Sequence, residues 1–260
     1  MLYITSLQNS RIKALKLLKK KSGREESGTY LIEGKRAVLD ALTNGVHFEC
    51  ILIQDNFLAK LEDMLENADC DEFIQVSPEI IDTLSETSSP EGIIAQAKIA
   101  YSEKPDYSKL KGLVVLIDHL QDPGNLGTII RTADAAGASA IILSNDCVDL
   151  YNSKTIRSTM GSIFNIPIFQ EQELSNVIIA LKNEGYLVYA TSLNGEDFFQ
   201  RKIAFFDKTA IIIGNEGNGI TENLIPLSSG VLTLPINGKA ESINAAVAAG
   251  ILIYNITFNK

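Results

Sequence analysis

The chain has 260 residues, 45% hydrophobic and 21% charged, a balance that fits one large globular domain or two ordinary ones and excludes a disordered or fibrous protein. No apolar run approaches the ~20 residues of a membrane-spanning helix, and three widely spaced cysteines with two histidines argue against a disulfide framework and leave little for a transition-metal site. The net charge of −9 argues against a nucleic-acid partner until its distribution is read: residues 1–36 hold nine Lys or Arg against three acids, residues 37–105 three against fourteen, and residues 106–260 eleven against fifteen. Phosphate binding follows local basic surface, so the first segment can face RNA while the rest stays acidic. The apolar start followed by basic residues reverses the order of a secretory signal, and a reducing cytoplasmic location is expected.

In chain order, residues 11–24 predict a basic amphipathic helix, with Ile12, Leu15 and Leu18 on one face and Arg11, Lys13, Lys16, Lys19, Lys20 and Lys21 around them. A strand follows at 30–33, a helix at 35–42, a strand at 48–53, an acidic helix at 58–67, a strand at 73–76, a helix at 78–84 and a strand at 92–97. This is a small alternating α/β unit. Residues 100–111 have no periodicity and read as a linker, which sets domains at 1–105 and 106–260. Five apolar strands come next, at 113–117, 140–143, 187–190, 210–213 and 231–234, separated by helical stretches at 127–136, 154–161, 173–184, 222–227 and 242–255. Apolar strands alternating with helices predict a parallel sheet covered on both faces, with ligands in the loops beyond the strand carboxyl ends.

Three such loops concentrate polar and glycine residues. The first runs from Asp118 to Gly127 and opens a helix. Pro123 and Gly124 bend it, Asn125 lies at the helix entry where amide donors favour anions, and Arg131 lies in the first turns. Taken singly, these two residues are better accounted for by simple capping by Asn125 and by pairing of Arg131 with Asp134 or another acid. The second loop, Gly214-Asn215-Glu216-Gly217-Asn218-Gly219, lets backbone approach a ligand closely. Its spacing is not that of a dinucleotide fingerprint, which also opens its fold, and Glu216 suits a cation or ribose hydroxyls better than phosphate. The third, from Leu234 to Asn244, runs into an alanine-rich helix for which Ser242 is a candidate N-cap.

Taken together, these loops resemble the three motifs of the SpoU/TrmH family of SPOUT methyltransferases. The stretches that carry the likeness are Asp122-Pro-Gly-Asn-Leu-Gly-Thr-Ile-Ile-Arg-Thr-Ala, Ile213-Gly-Asn-Glu-Gly-Asn-Gly, and Leu234-Pro-Ile with Glu241-Ser-Ile-Asn-Ala-Ala-Val-Ala. Tyr151-Asn-Ser-Lys-Thr-Ile-Arg-Ser-Thr-Met-Gly-Ser-Ile-Phe is similar to the segment the family carries between the first two. Tyr30-Leu-Ile-Glu-Gly-Lys-Arg-Ala-Val and Pro90-Glu-Gly-Ile-Ile-Ala resemble its N-terminal substrate-binding domain, which has a ribosomal-protein-like α/β fold.

The resemblance implies a deep trefoil knot in the C-terminal domain, a homodimer, and transfer of a methyl group from S-adenosyl-L-methionine to a ribose 2′-hydroxyl of structured RNA. Ribosomal RNA of the large subunit, at a guanosine, is preferred over transfer RNA; a non-catalytic RNA-binding assembly protein is the other alternative. It further implies a cofactor pocket formed by Thr191, Gly214, Asn215, Glu216, Gly219, Leu234, Ile236, Ser242 and Ile243, and a catalytic set of Asn125, Arg131, Glu216, Ser242 and Asn244. Arg11, Lys13, Lys19, Lys20, Lys21, Lys35, Arg36, Lys154 and Arg157 are the candidate RNA contacts. No metal is required, because the methyl is already activated.

Overall fold

The short apolar runs become strands and the periodic stretches between them become helices, in a computed structural model that describes residues 2–57, 68–100, 104–171, 173–200 and 208–258. The acidic helix expected at 58–67 lies outside the described residues. In chain order the elements are β1 (Leu2–Ile4), α1 (Ser10–Leu17), α2 (Lys21–Ser27), β2 (Thr29–Glu33), α3 (Lys35–Thr43), β3 (Phe48–Gln54), β4 (Phe73–Val76), α4 (Pro78–Leu84) and β5 (Ile93–Lys98). They continue with β6 (Gly112–Ile117), α5 (Pro123–Ala136), β7 (Ala140–Ser144), α6 (Ser153–Thr159), β8 (Ile168–Glu171), α7 (Leu174–Asn183), β9 (Leu187–Asp197), β10 (Lys208–Ile213), β11 (Gly230–Thr233) and α8 (Ala245–Phe258). Among the described residues no helix is long and apolar enough to cross a membrane.

The chain divides into two units. The first comprises Met1–Tyr101 and Tyr151–Phe164, the second Ser102–Leu150 and Asn165–Lys260. Residues 151–164, which the sequence reading put with the C-terminal half, thus pack with the N-terminal one, because Ile156 enters the core built by Tyr30, Ile32, Val38, Phe48 and Ile51.

In the first unit a five-stranded mixed sheet has the order β1-β4-β3-β5-β2. Strands β1, β4 and β3 run parallel, and β5 runs antiparallel to both β3 and β2. Ile12, Leu15 and Leu18 of the basic region pack in a second cluster with Leu52 and Ile74 of the sheet and Ile80 of α4. That region forms two helices rather than the single one expected over 11–24. The backbone of Gly23 passes so close to α1 that a Cβ would lie 2.2 Å from the Leu17 carbonyl oxygen. The buried Arg24 guanidinium then donates to the Leu18 carbonyl at 2.7 Å, serving one of the carbonyls that a helix end leaves open.

The second unit is a six-stranded, wholly parallel sheet of order β11-β9-β10-β6-β7-β8. Its apolar strands bury Val114, Leu116, Ile142, Val188 and Ile212 against Val177, Ile178 and Leu181 of α7, as a parallel sheet covered on both faces requires. The sheet has one more strand than the five expected; β8 carries only two apolar residues in Ile-Phe-Gln-Glu and lies at the edge, so its pattern is weak. The helix expected at 222–227 is a single 3-10 turn, Glu222–Leu224, because Pro226 has no N–H to continue it. Pro123 occupies the first turn of α5, and Asp122 caps that helix by accepting from the Asn125 N–H at 2.8 Å.

Candidate active site

Parallel pairing brings the polar loops to one end of the second unit. Ile117 of β6 and Ile213 of β10 are register partners, so the loops that follow them leave side by side. β10 also pairs with β9, and β9 with β11, which brings the loops after those strands to the same end.

The first two loops are then stitched together. The buried Asp118 accepts the Thr221 N–H at 2.7 Å, and the Asn215 amide donates to the His119 carbonyl at 2.8 Å. Asn215 Oδ1 accepts from the Gly217 and Asn218 N–H groups at 2.8 and 3.0 Å, which folds the glycine loop around its side chain. Gly214 is required for closure, since a Cβ there would lie 2.4 Å from the backbone of Gly219. Gly219, at φ +72°, takes the left-handed conformation that favours glycine.

A chain of polar contacts joins all three loops. Glu216 accepts from Asn125 Nδ2 at 2.9 Å, from the Asp122 N–H at 3.2 Å and from the Gln121 N–H at 3.3 Å. Asn244 Nδ2 donates to Asn125 Oδ1 at 3.0 Å. The Asn244 oxygen in turn caps α8, accepting from the N–H groups of Ala246 and Val247 at 2.9 and 3.2 Å. Asn244 therefore fills the capping role expected of Ser242, and the helix starts at Ala245 rather than 242. Partial burial pushes the Glu216 carboxyl upward, but Asn125 and the backbone N–H groups of Glu216 itself, Gln121 and Asp122 outweigh it and hold the group below the ordinary glutamate value. Glu216 is an anion whose oxygens are already engaged, which suits an orienting role better than proton abstraction.

Beside this chain lies a cavity of about 800 Å³, within the range of small-molecule sites. All nine residues expected to hold a cofactor (Thr191, Gly214, Asn215, Glu216, Gly219, Leu234, Ile236, Ser242, Ile243) line it. The Thr191 hydroxyl is itself tied to the Ile212 carbonyl at 2.8 Å. The described lining residues include three carboxylates (Glu216, Glu222, Glu241) and no Lys or Arg. Such a donor set fits a ligand that carries a sulfonium cation, with apolar and backbone surface for its remainder, and opposes a pyrophosphate. Leu193, Leu232, Ala248 and Leu252 also line the cavity and were not anticipated; the extension of β9 to Asp197, beyond its apolar run, brings Leu193 there, β11 Leu232, and the tertiary approach of α8 the other two. Among the described residues no group of three His, Cys, Asp or Glu is placed to hold a metal.

Arg131 stands apart from this cluster. It is exposed on α5 and does not line the cavity. The pairing with Asp134 does not form: Asp134 accepts from Asn165 instead, at 3.2 Å.

Comparison with known proteins agrees with this geometry. Residues 112–254 match the SpoU rRNA Methylase family, a stretch that holds the whole polar chain and cavity. The chain belongs to the SpoU rRNA methylase family. It is an S-adenosylmethionine-dependent RNA ribose 2′-O-methyltransferase. Residues 9–95 match the MRM3-like substrate binding domain. The 23S rRNA (guanosine(2553)-2′-O)-methyltransferase RlmP of Bacillus subtilis is 38% identical over 97% of this chain and 98% of its own length. The AdoMet-bound rRNA methyltransferase from Sinorhizobium meliloti is 30% identical and superposes with a TM-score of 0.86, covering 98% of this chain and 96% of that one. The SpoU methyltransferase AviRb of Streptomyces viridochromogenes, in complex with AdoMet, is 25% identical with a TM-score of 0.86 over 96% and 98% of the two chains.

The basic residues expected to meet RNA in this SpoU-family chain divide into two groups. Lys13, Lys20, Lys35 and Lys154 are exposed, Lys21 lies 3.7 Å from Glu25 and Arg36 3.8 Å from Asp40. Others are engaged by the fold: Arg11 pairs with Glu72, Lys19 donates to the carbonyls of Thr83 and Ser85 at 3.1 and 2.9 Å, and Arg157 faces Glu33 at 3.7 Å.

Proposed function

We propose that this enzyme methylates the 2′-hydroxyl of a guanosine in large-subunit ribosomal RNA, acting in the cytoplasm as a homodimer. What supports the reaction most directly is the Glu216–Asn125–Asn244 chain beside a cavity whose described lining holds three carboxylates and no Lys or Arg. The target follows the RlmP-like relative, which matches over nearly the full length of both chains. S-adenosylmethionine would rest on the backbone of Gly214 and the apolar wall of Leu234, Ile236 and Ile243. When bound it supplies an electrophilic methyl.

The chain's own residues supply position and charge. Holding the 2′-oxygen in a reactive orientation is the larger contribution. Asn125 is suited to it, because Glu216 and Asn244 fix both ends of its amide. Arg131, planar and permanently charged, would bind the adjacent phosphate and stabilise the oxygen as it loses its proton. The exposed face of α8, with Val247, Tyr254 and Phe258, would form the subunit contact. It packs beside α5, which carries Arg131, so assembly would bring that residue to an interface. The threading of this helix in a deep knot is the family's architecture and belongs to the same proposal.

The test is transfer of labelled methyl to ribosomal RNA from cells lacking the enzyme, with the product mapped as a 2′-O-methyl mark. Asn125→Ala should cut turnover about 100-fold, the loss typical of one positioned donor, with cofactor affinity changed little. Arg131→Lys at near-full turnover would remove the fork geometry from the mechanism. A mark on transfer RNA instead would select the alternative substrate.

A further inference from the structure

One charged pair in the first unit is not used by the chemistry above. Glu33, at the end of β2, has a side chain only 9% exposed. Its carboxylate accepts from the hydroxyls of Ser85 and Thr87, the latter at 2.7 Å, and from the Glu86 N–H at 3.1 Å. The cation facing it is Arg157 of α6, its side chain 30% exposed but its Nη1 buried, 3.7 Å away and without a hydrogen bond. We propose that Arg157 is a positioning residue: through Glu33 it locks residues 151–164 into the RNA-holding unit, and its guanidinium does not contact RNA.

Connectivity makes this more than a local ion pair. The chain leaves the first unit after Tyr101, returns at Tyr151 and leaves again after Phe164. Residues 151–164 are therefore a strap that the catalytic unit precedes and follows in the chain, at Leu150 and Asn165, and whose body is core of the other. Ile156, Thr155 and Thr159 are buried in it. The Tyr151 ring packs at a tilt of 46° on Tyr30 with centroids 4.5 Å apart, and Ser153 bonds to Glu86. Gly161 passes so close that a Cβ would meet Asp40 Oδ2 at 2.4 Å. Apolar burial holds the strap in place but does not choose among nearby registers. A buried carboxylate with one cation opposite does choose, because any other register leaves a charge uncompensated. The strap is part of the core of the RNA-holding unit, so fixing it fixes the shape of that unit. The expected signature is therefore in substrate capture and not in the reaction step.

The inference rests on the first unit holding RNA, so the test reads both activity and stability in the full-length enzyme. Arg157→Gln is expected to raise KM for a 23S transcript about tenfold, equivalent to about 1.4 kcal/mol, with kcat at saturating RNA and cofactor affinity unchanged, and to lower the melting temperature. The neutral pair Glu33→Gln/Arg157→Gln removes the uncompensated charge and should restore both KM and melting temperature, since neutralising both partners costs less than leaving the buried carboxylate without its cation. A KM equally raised in the double variant would show that Arg157 touches RNA and would overturn the proposal. So would a fall in kcat at constant KM, or no change in the single variant. Should Arg157→Gln fail to fold, the KM of the double variant decides alone. A wild-type enzyme inactive on ribosomal RNA would defeat the proposed substrate instead, while the melting-temperature cycle still reports on the pair.

Discussion

Both units lay helices over a sheet, yet they spend their polar residues in opposite ways. In the parallel unit, strands with few polar groups deliver them to one end, where Glu216, Asn125 and Asn244 bond to one another across three loops. In the mixed unit the charges are scattered and several are consumed by the fold itself: Arg24 on the Leu18 carbonyl, Lys19 on those of Thr83 and Ser85, Arg11 on Glu72. A parallel sheet gathers the side chains of its loops because all its carboxyl ends coincide. A mixed sheet has no such end, so counting charge there overstates the surface available to RNA.

The strongest way to break this comparison is to ask whether the two units are separate at all. Ile53→Ala and Ile212→Ala each delete a side chain with no exposed surface and should each cost about 2–5 kcal/mol. Because the strap at 151–164 draws its chain from within the catalytic unit, both variants are expected to shift one common urea transition. Two transitions, with each variant moving only its own, would restore the view of two autonomous domains. Next in size is Gly214→Ala, whose Cβ would meet the Gly219 backbone at 2.4 Å. Overpacking of about 1–3 kcal/mol is expected to appear as a tenfold or greater loss of cofactor affinity by calorimetry. Gly238→Ala, with nothing within 4 Å of its Cβ, is the matched control and should leave that affinity unchanged. Asn244→Ala removes the α8 cap, worth about 1 kcal/mol, and should lower melting temperature and turnover together, since the same side chain holds Asn125.

The contrast also explains what could be read in advance. The parallel sheet was legible because runs such as Thr209–Ile213 are buried on both faces, and the polar loops announced themselves by following those runs directly. That Glu216 and Asn125 meet was not legible, because they are 91 positions apart and only the register of β6 on β10 decides it. Ser242 and Asn244 both suit an N-cap by residue type; local backbone geometry, not sequence, chose Asn244. The basic segment was legible as charge but not as use. Nothing in a helical wheel indicates that the helix breaks after Leu17, that Gly23 of α2 passes close to Leu17, or that Arg24 turns inward to serve the break. The strap was hidden for a related reason: Ile156 reads as an ordinary core residue of whichever unit its neighbours in sequence occupy.

The smallest expected effect tests whether Glu216 works as a fixed anion. Its carboxyl is held below the ordinary glutamate value because hydrogen bonds to the charged form outweigh partial burial. A folded-state value below the unfolded one means that the unfolded chain takes up its proton first as pH falls. The stabilisation is therefore complete at neutral pH, begins to fade as pH drops into the ordinary glutamate range, and is gone once the folded group is itself protonated. Glu216→Gln should melt below the wild type at neutral pH, and the gap should close with acidification through that window. The side chain is largely open to solvent, so the gap should be modest and should shrink with added salt. A gap that is constant from neutral to acid pH would show that Glu216 acts through shape alone, and the polar chain would then be a packing feature with no electrostatic part in orienting Asn125.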